Sequence, residues 1–307
     1  MPPLRRLTIV ADDLAGAADC GVGFAERGFT TGVVLGAEQR DPGGWSVIAL
    51  DTDTRDARPE LAQQRVRDAL AVASPDDLVF KKIDSTLRGN IAAELRATAS
   101  ERGDCCVVAA PAFPATGRTT RDGRQLIDGR PLEESEFAAQ VDTSVLRDLL
   151  APSGLTVRDV SLAQVRAGVA EVVQDAGPGV VLACDAETDE DLALIGRGGV
   201  DSGCHVIWMG TAGLARQLAG LLPLAPGSGN APARRREGPV LLVVGSPAAA
   251  THAQLGRLRR VPNLVEVCVS DVDAAAAAAA VRDALGSGCD CALTLGGEAG
   301  DRDAGRG

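Results

Sequence analysis

The sequence predicts an α/β protein of two domains with mostly parallel, doubly wound sheets. Three observations carry this expectation. Short apolar runs of strand length recur along the chain, beginning with Leu7-Thr8-Ile9-Val10-Ala11, which reads as a buried strand by its length and β-branching. They alternate with segments of helical length, the pattern of strands joined by crossover helices. Between Pro223 and Gly238 the composition shifts to Pro, Gly and Ala with Arg234-Arg235-Arg236, a solvated linker that divides the chain into 1–224, 225–238 and 239–307.

After the first strand, Asp12-Asp13-Leu14-Ala15-Gly16-Ala17-Ala18-Asp19 turns into a helix that ends near Arg27-Gly28, where Gly can serve as the C-cap. Thr31 to Leu35 and Val47 to Leu50 read as the next strands, and Asp51-Thr52-Asp53-Thr54-Arg55 closes the second of them. Pro59 to Ala73 is an amphipathic helix. Leu78 to Phe80 is a strand that runs into Lys81-Lys82-Ile83-Asp84-Ser85-Thr86-Leu87-Arg88-Gly89-Asn90, expected as a loop, and Ile91 to Ser100 is the helix beyond it. Cys106 to Ala110 is a further strand. The Asp-Gly pairs between Arg121 and Leu132 mark a small hairpin rather than another crossover. Helices are expected over Phe137 to Leu150, Val165 to Asp175 and Asp189 to Arg197. Strands are expected over Val157 to Val160, Val180 to Cys184 and Val206 to Met209, the last entering the turn Gly210-Thr211-Ala212-Gly213. Beyond the linker, a strand over Pro239 to Val244 breaks at Gly245-Ser246-Pro247 before a helix. Val265 to Val269, an alanine-rich helix from Ala274 to Leu285, and Cys291 to Leu295 follow.

Lys81 and Lys82 are the only lysines among the chain's 31 Lys and Arg residues, and they stand together. Lys is a compact charge with rotatable donors, whereas Arg is a rigid planar fork. A run of cations, carboxylate, hydroxyls and amide at a strand's carboxyl end is where open α/β sheets place their ligands; the plainer alternative is a solvated basic pair. Asp12 and Asp13 occupy the same position after the first strand. One can simply cap the helix, while two followed by small residues suit a hydroxylated ligand or a metal ion.

The net charge of −11, with no basic stripe carrying aromatics, argues against nucleic acid as the main partner. Aromatics make up 2 % of residues, so the core must be built from Ala, Val and Leu. No apolar run reaches the roughly 18 residues a membrane span needs, and no secretory h-region follows Met1, so a cytoplasmic protein is expected. The eight cysteines are expected as reduced thiols. With only His205 and His252 to complete a set, no structural metal is expected.

Several stretches together resemble the four-carbon acid sugar kinase family, whose members phosphorylate threonate, erythronate, 3-oxo-tetronate and related acids with ATP. The resemblance covers nearly the whole chain. It rests on Ala11 to Asp19, on Lys81 to Asn90, on Pro111-Ala112-Phe113-Pro114 with Gly117-Arg118-Thr119-Thr120, and on Gly210 to Ala215 and Gly245-Ser246. It implies an N-terminal domain that holds the acid and a short or truncated C-terminal nucleotide-binding domain. Asp12, Asp13, Lys82, Asp84, Ser85, Arg88 and Asn90 are the expected substrate contacts, with Asp84, Asp13 and Lys82 the catalytic candidates. Gly245 and Ser246 are the expected nucleotide contacts, ATP and Mg²⁺ the expected cofactors, and a homodimer is allowed.

Arg88 and Lys82 can take the substrate carboxylate while an Asp accepts from its hydroxyls; Asp84 and Asp13 are equal candidates for the base. Two departures stand out: Ala15 replaces a usual Thr, and Asp301 to Gly307 does not carry Gly296-Gly297-Glu298 into the helix that family members continue with. The second allows an acid-binding protein without a complete ATP site. A third reading, a hydroxyacid dehydrogenase using NAD, lacks the Gly-x-Gly-x-x-Gly turn.

Overall fold

The computed structural model describes residues 5–36, 44–103, 105–225, 238–246, 249–269 and 274–295. The chain divides into two compact units, Met1–Ala231 and Pro232–Gly307. In the first, β1 (Leu7–Ala11), α1 (Leu14–Ala25), β2 (Thr31–Leu35), β3 (Val47–Asp51), α2 (Pro59–Val72), β4 (Leu78–Lys82), α3 (Ile91–Arg102) and β5 (Cys106–Ala110) follow one another. A small antiparallel sheet comes next, made of β6 (Arg118–Arg121), β7 (Arg124–Ile127) and β8 (Arg130–Pro131). The unit closes with α4 (Leu146–Leu150), β9 (Thr156–Val160), α5 (Leu162–Ala167), α6 (Ala170–Gln174), β10 (Val180–Cys184), α7 (Asp189–Asp201), β11 (Val206–Gly210) and α8 (Ala212–Leu218).

The large sheet has eight strands in the order β2-β3-β1-β4-β11-β5-β10-β9, and every pairing is parallel. β1 lies between β3, reached by winding one way, and β4, reached by winding the other; the sheet is doubly wound and its switch point falls between β1 and β4. Helices cover both faces, so strands such as β1 and β5 are buried along their whole length. Strand alternation sorts the side chains. Leu7, Ile9 and Phe80 pack with Ala17, Cys20 and Phe24 of α1 on one face, while Val10 and Val79 pack with Val66 and Leu70 of α2 and Leu95 of α3 on the other. Each such buried Leu, Val or Phe contributes about 1.5–3 kcal/mol.

Three expectations are corrected. β4 runs on through Lys81 and Lys82, which therefore belong to the strand and not to the loop. Phe137 to Leu150 is helical only from Leu146 and in a single 3₁₀ turn at Ala138–Gln140. β-Branched Val141, Thr143 and Val145 resist helix, and Ser144 is drawn into tertiary bonds, its N–H donating to Glu133 and its carbonyl accepting from the Gln125 N–H. The helix expected over Val165 to Asp175 is two short ones, α5 and α6, broken at Gly168, whose φ is +110°. The expected hairpin is the β6–β7–β8 sheet. Its two turns place Asp122-Gly123 and Asp128-Gly129 at φ values of +51°, +71°, +48° and +78°, the left-handed pairs that Asp-Gly favours.

The second unit holds β12 (Leu241–Val244), α9 (Ala249–Leu258), β13 (Leu264–Val269), α10 (Ala274–Gly286) and β14 (Asp290–Leu295). Its strands form a parallel sheet in the order β12-β14-β13. Gly296 to Glu298 and Asp301 to Gly307 lie outside the described residues, as do 226–237 of the linker.

Candidate active site

The strand order β3-β1-β4 aligns Ala11 with both Asp51 and Lys82, so three turns far apart in sequence leave the sheet side by side. The first carries Asp12 and Asp13, the second Arg55, the third Asp84 to Arg88. Asp13 caps α1, its Oδ1 accepting the Gly16 N–H at 2.8 Å. Here both roles of the aspartate pair coexist, because the other oxygen of Asp13 faces a guanidinium.

That guanidinium is Arg55. Its Nε donates to Asp12 Oδ2 at 2.7 Å and its Nη1 to Asp13 Oδ2 at 2.8 Å, while Nη2 lies 3.6 Å from Asp84 Oδ1. One cation thus joins the three turns. Burial would lower its affinity for a proton, but Asp12, Asp84 and Asp13 outweigh that and hold it more firmly charged than an ordinary arginine. Asp84 is locked in turn. Arg88 donates to both its oxygens, Nε at 2.8 Å and Nη2 at 3.0 Å, and the Thr86 hydroxyl and N–H donate to Oδ2 as well. Burial pushes the Asp84 carboxyl up, yet Arg88, Thr86 and Arg55 together hold it well below the usual carboxylate range.

The two lysines part company because neighbours on a strand face opposite ways. Lys81 is fully buried on the α3 side: its Nζ meets Glu94 Oε2 at 2.7 Å and donates to the carbonyls of Val10 at 3.2 Å and Lys82 at 2.7 Å. All three ammonium hydrogens have acceptors, and the tie clamps the carboxyl ends of β1 and β4 together. Lys82 is 5 % exposed on the α1 side, and among the described residues its ammonium has neither an ion pair nor a hydrogen bond. It lies against Gly16, where an added Cβ would sit 2.6 Å from Lys82 Nζ and 2.6 Å from Asp13 Oδ1. Only glycine lets this helix start approach so closely.

A cavity of about 480 Å³ opens here, lined by Asp13, Ala15, Gly16, Arg55, Lys82, Asp84, Ser85 and Arg88, with Phe113, Arg118 and Thr211 on its far wall. Asp12 stays behind it, buried, with Oδ1 unpartnered. Asn90, an expected substrate contact, does not line it. Both Nδ2 hydrogens go to backbone carbonyls, of Thr54 at 2.8 Å and Ala57 at 2.7 Å, which makes Asn90 the strut that holds the Arg55 turn. Gln125 is a second strut, its Nε2 donating to the carbonyls of Ser85 and Pro111. Gly245 and Ser246 belong to the second unit, exposed beyond the end of β12; residues 247–248 lie outside the described residues.

Arg55, Gly16 and Arg118 are the residues that reading the sequence missed. Arg55 stood in plain view at the end of a third acidic turn, but its role follows only from the strand order. A carboxylate-rich pocket with an unpaired ammonium suits an anionic, hydroxylated ligand. Residues 7–218 match the family model of the sugar-binding N-terminal domain. The chain belongs to that family. It is 38 % identical over 264 residues to a D-threonate kinase of Cupriavidus necator, a match covering 82 % of this chain and 63 % of the relative. Over 288 residues it is 34 % identical to a D-erythronate kinase of Heliobacterium modesticaldum, covering 88 % of this chain and 63 % of that one. The chain thus spans about three-fifths of the length of these curated relatives.

Among solved structures, it is similar to a Bordetella bronchiseptica domain of unknown function crystallised with bound citrate as a domain-swapped dimer. The two are 30 % identical with a TM-score of 0.61, over 98 % of this chain and 76 % of that one. A Haemophilus influenzae protein shares the fold at a TM-score of 0.72 and 20 % identity, over 94 % of this chain and 74 % of that one.

Proposed function

We propose that the pocket at the ends of β1, β3 and β4 binds a four-carbon sugar acid such as threonate, erythronate or 3-oxo-tetronate, and that the protein phosphorylates one of its hydroxyls with ATP. The observation that carries this reading is Lys82. A buried ammonium without a partner is costly to keep for folding alone, and at this place it meets an anion. The threonate and erythronate kinases to which the chain is similar, and the citrate bound by the Bordetella protein, support the same class of ligand.

Phosphoryl transfer asks for a positioned hydroxyl, an acceptor for its proton and cations on the transferred group. Asp13 is the acceptor. Its carboxylate reaches the cavity with 28 % of the side chain exposed and takes one donor on each oxygen, whereas Asp84 is 10 % exposed, is held by Arg88, Thr86 and Arg55 together, and its depressed proton affinity makes it a poor base. Asp84 instead orients Arg88 and Arg55. Lys82 neutralises charge on the groups beside Asp13. Among the described residues no three His, Cys, Asp or Glu side chains could hold a metal ion, so a divalent cation would arrive with the nucleotide's phosphates rather than in a protein cage. Gly245 and Ser246, between a parallel strand and the ten-residue helix α9, suit the phosphates of ATP, since backbone N–H groups at such a turn favour anions. Self-association of this chain belongs to the same proposal and is read by light scattering.

Calorimetric titration with D-threonate, D-erythronate and 3-oxo-tetronate, followed by coupled detection of ADP, tests the reading. Binding of one acid in the wild-type chain and its loss in Lys82→Met is expected. Failure of the wild-type chain to bind any of the three would overturn it.

A further inference from the structure

Four cationic side chains line the pocket: Arg55, Lys82, Arg88 and Arg118. Two are already neutralised. Arg55 is shared among Asp12, Asp13 and Asp84. Arg88 places Nε and Nη2 on Asp84 and Nη1 on Gln140 at 3.2 Å, with its guanidinium over the Phe137 ring. Taking a ligand carboxylate on either would break a buried ion pair.

Arg118 differs. Its Nη1 donates to the Thr116 carbonyl, but its Nε is buried with no partner, and among the described residues Nη2 has neither a hydrogen bond nor an ion pair. Nε and Nη2 form one edge of the guanidinium, the edge that matches a carboxylate's two oxygens. The backbone of Arg118 is fixed on both sides of the residue. Its carbonyl accepts the Phe113 N–H at 2.8 Å and its N–H donates to the Phe113 carbonyl at 3.2 Å, while Gln125 ties the neighbouring hairpin to Pro111 and Ser85.

We propose that Arg118 grips the carboxylate of the ligand and is the residue that makes the pocket select acids over neutral polyols. Arg88, the fork that sequence alone nominates for this task, is then a strut for Asp84. The inference rests on the proposed function and adds a polarity to it: the carboxylate end of the substrate lies toward Arg118 and the hydroxyls toward Asp13. Arg118 acts by touching the ligand, so its loss should show in affinity and not in folding.

The test is calorimetry on the full chain and its Arg118→Gln and Arg118→Lys variants, with D-threonate, threitol and citrate, alongside thermal melts without ligand. In Arg118→Gln, threonate affinity is expected to fall by about 10- to 100-fold, the range of a lost pair of charge-assisted hydrogen bonds. Arg118→Lys, which keeps the charge but not the fork, should fall between the two. Threitol should bind the wild type and Arg118→Gln equally weakly, and the unliganded melts should coincide. Equal threonate affinity in wild type and Arg118→Gln would overturn the grip and leave the proposed function standing. Citrate binding that depends on Arg118, in a chain that ignores threonate, would sustain the grip and remove the four-carbon reading. Binding of neither acid by the wild type would overturn both.

Discussion

Replacing Asp84 by Asn tests whether the site is built on charge. The carboxylate is 7 % exposed and receives Arg88 through Nε at 2.8 Å and Nη2 at 3.0 Å, the Thr86 N–H at 3.2 Å, and Arg55 Nη2 at 3.6 Å. In the Asn variant one oxygen keeps part of this set, and the new amide sets its own N–H groups against those of Arg88 or Arg55. Breaking one side of a buried pair costs about 3–5 kcal/mol. Because the Arg88 side chain is 30 % exposed and can partly rehydrate, the lower end applies, about 3 kcal/mol. In a unit of this size that lowers Tm by about 6–12 °C.

The pH dependence gives a second reading. The folded carboxyl lies below the ordinary value of about 3.9, so the unfolded chain takes up the proton first as pH falls. The stabilisation is fully present above about pH 5 and is lost progressively as the pH drops toward the depressed folded value. Differential scanning calorimetry of both proteins from pH 7 to pH 3 should therefore show a gap in Tm that narrows on acidification. A gap under about 2 °C at pH 7, or one that widens toward pH 3, would refute the account of Asp84 as an ionised strut.

Three further outcomes are expected. Glu94→Gln should destabilise the protein by about 3–5 kcal/mol in urea unfolding, because Lys81 is left buried and charged, while the double change Lys81→Met with Glu94→Leu should recover most of the loss. Gly16→Ala should lower threonate affinity at least about tenfold in calorimetry and lower Tm by about 2–4 °C, since the new Cβ pushes aside the end of Lys82 and the Asp13 oxygen that caps α1, a loss of about 1 kcal/mol. Gly129→Ala, at φ +78° with open space around it, should cost about 1 kcal/mol from backbone strain alone, read as a Tm shift of about 2–4 °C.

The fold was largely legible because each strand of the large sheet is a short apolar run bounded by polar turns, as at Cys106–Ala110 and Val180–Cys184. Misreadings fell where tertiary bonds override local pattern. Ser144 is pulled toward Gln125 and Glu133 and so ends a helix that composition favoured. Lys81 and Lys82 look like loop residues because charge rarely lies inside a sheet; Glu94, on another element, is what allows the first to be buried. At the candidate site, the aspartates stand out in the sequence through their turns and Lys82 through its pairing with Lys81. Arg55 does not, because it is one arginine among many until β3 is known to lie beside β1. Asn90 shows the opposite failure: a polar residue in the right motif whose amide serves the backbone.

The adjacent lysines also bear on how faithfully the strand is placed. Sliding β4 by one residue against β1 would turn each side chain to the opposite face, sending Lys82 toward Glu94 and carrying Lys81 into the cavity. Both faces would still receive an ammonium, so charge alone would tolerate the slip. Phe80 and Val79 would not, because each would leave the cluster on its own side of the sheet. The apolar pair therefore sets which lysine faces the pocket, and changes at Val79 or Phe80 that even out their sizes would blur the identity of the charged residue lining it without touching it.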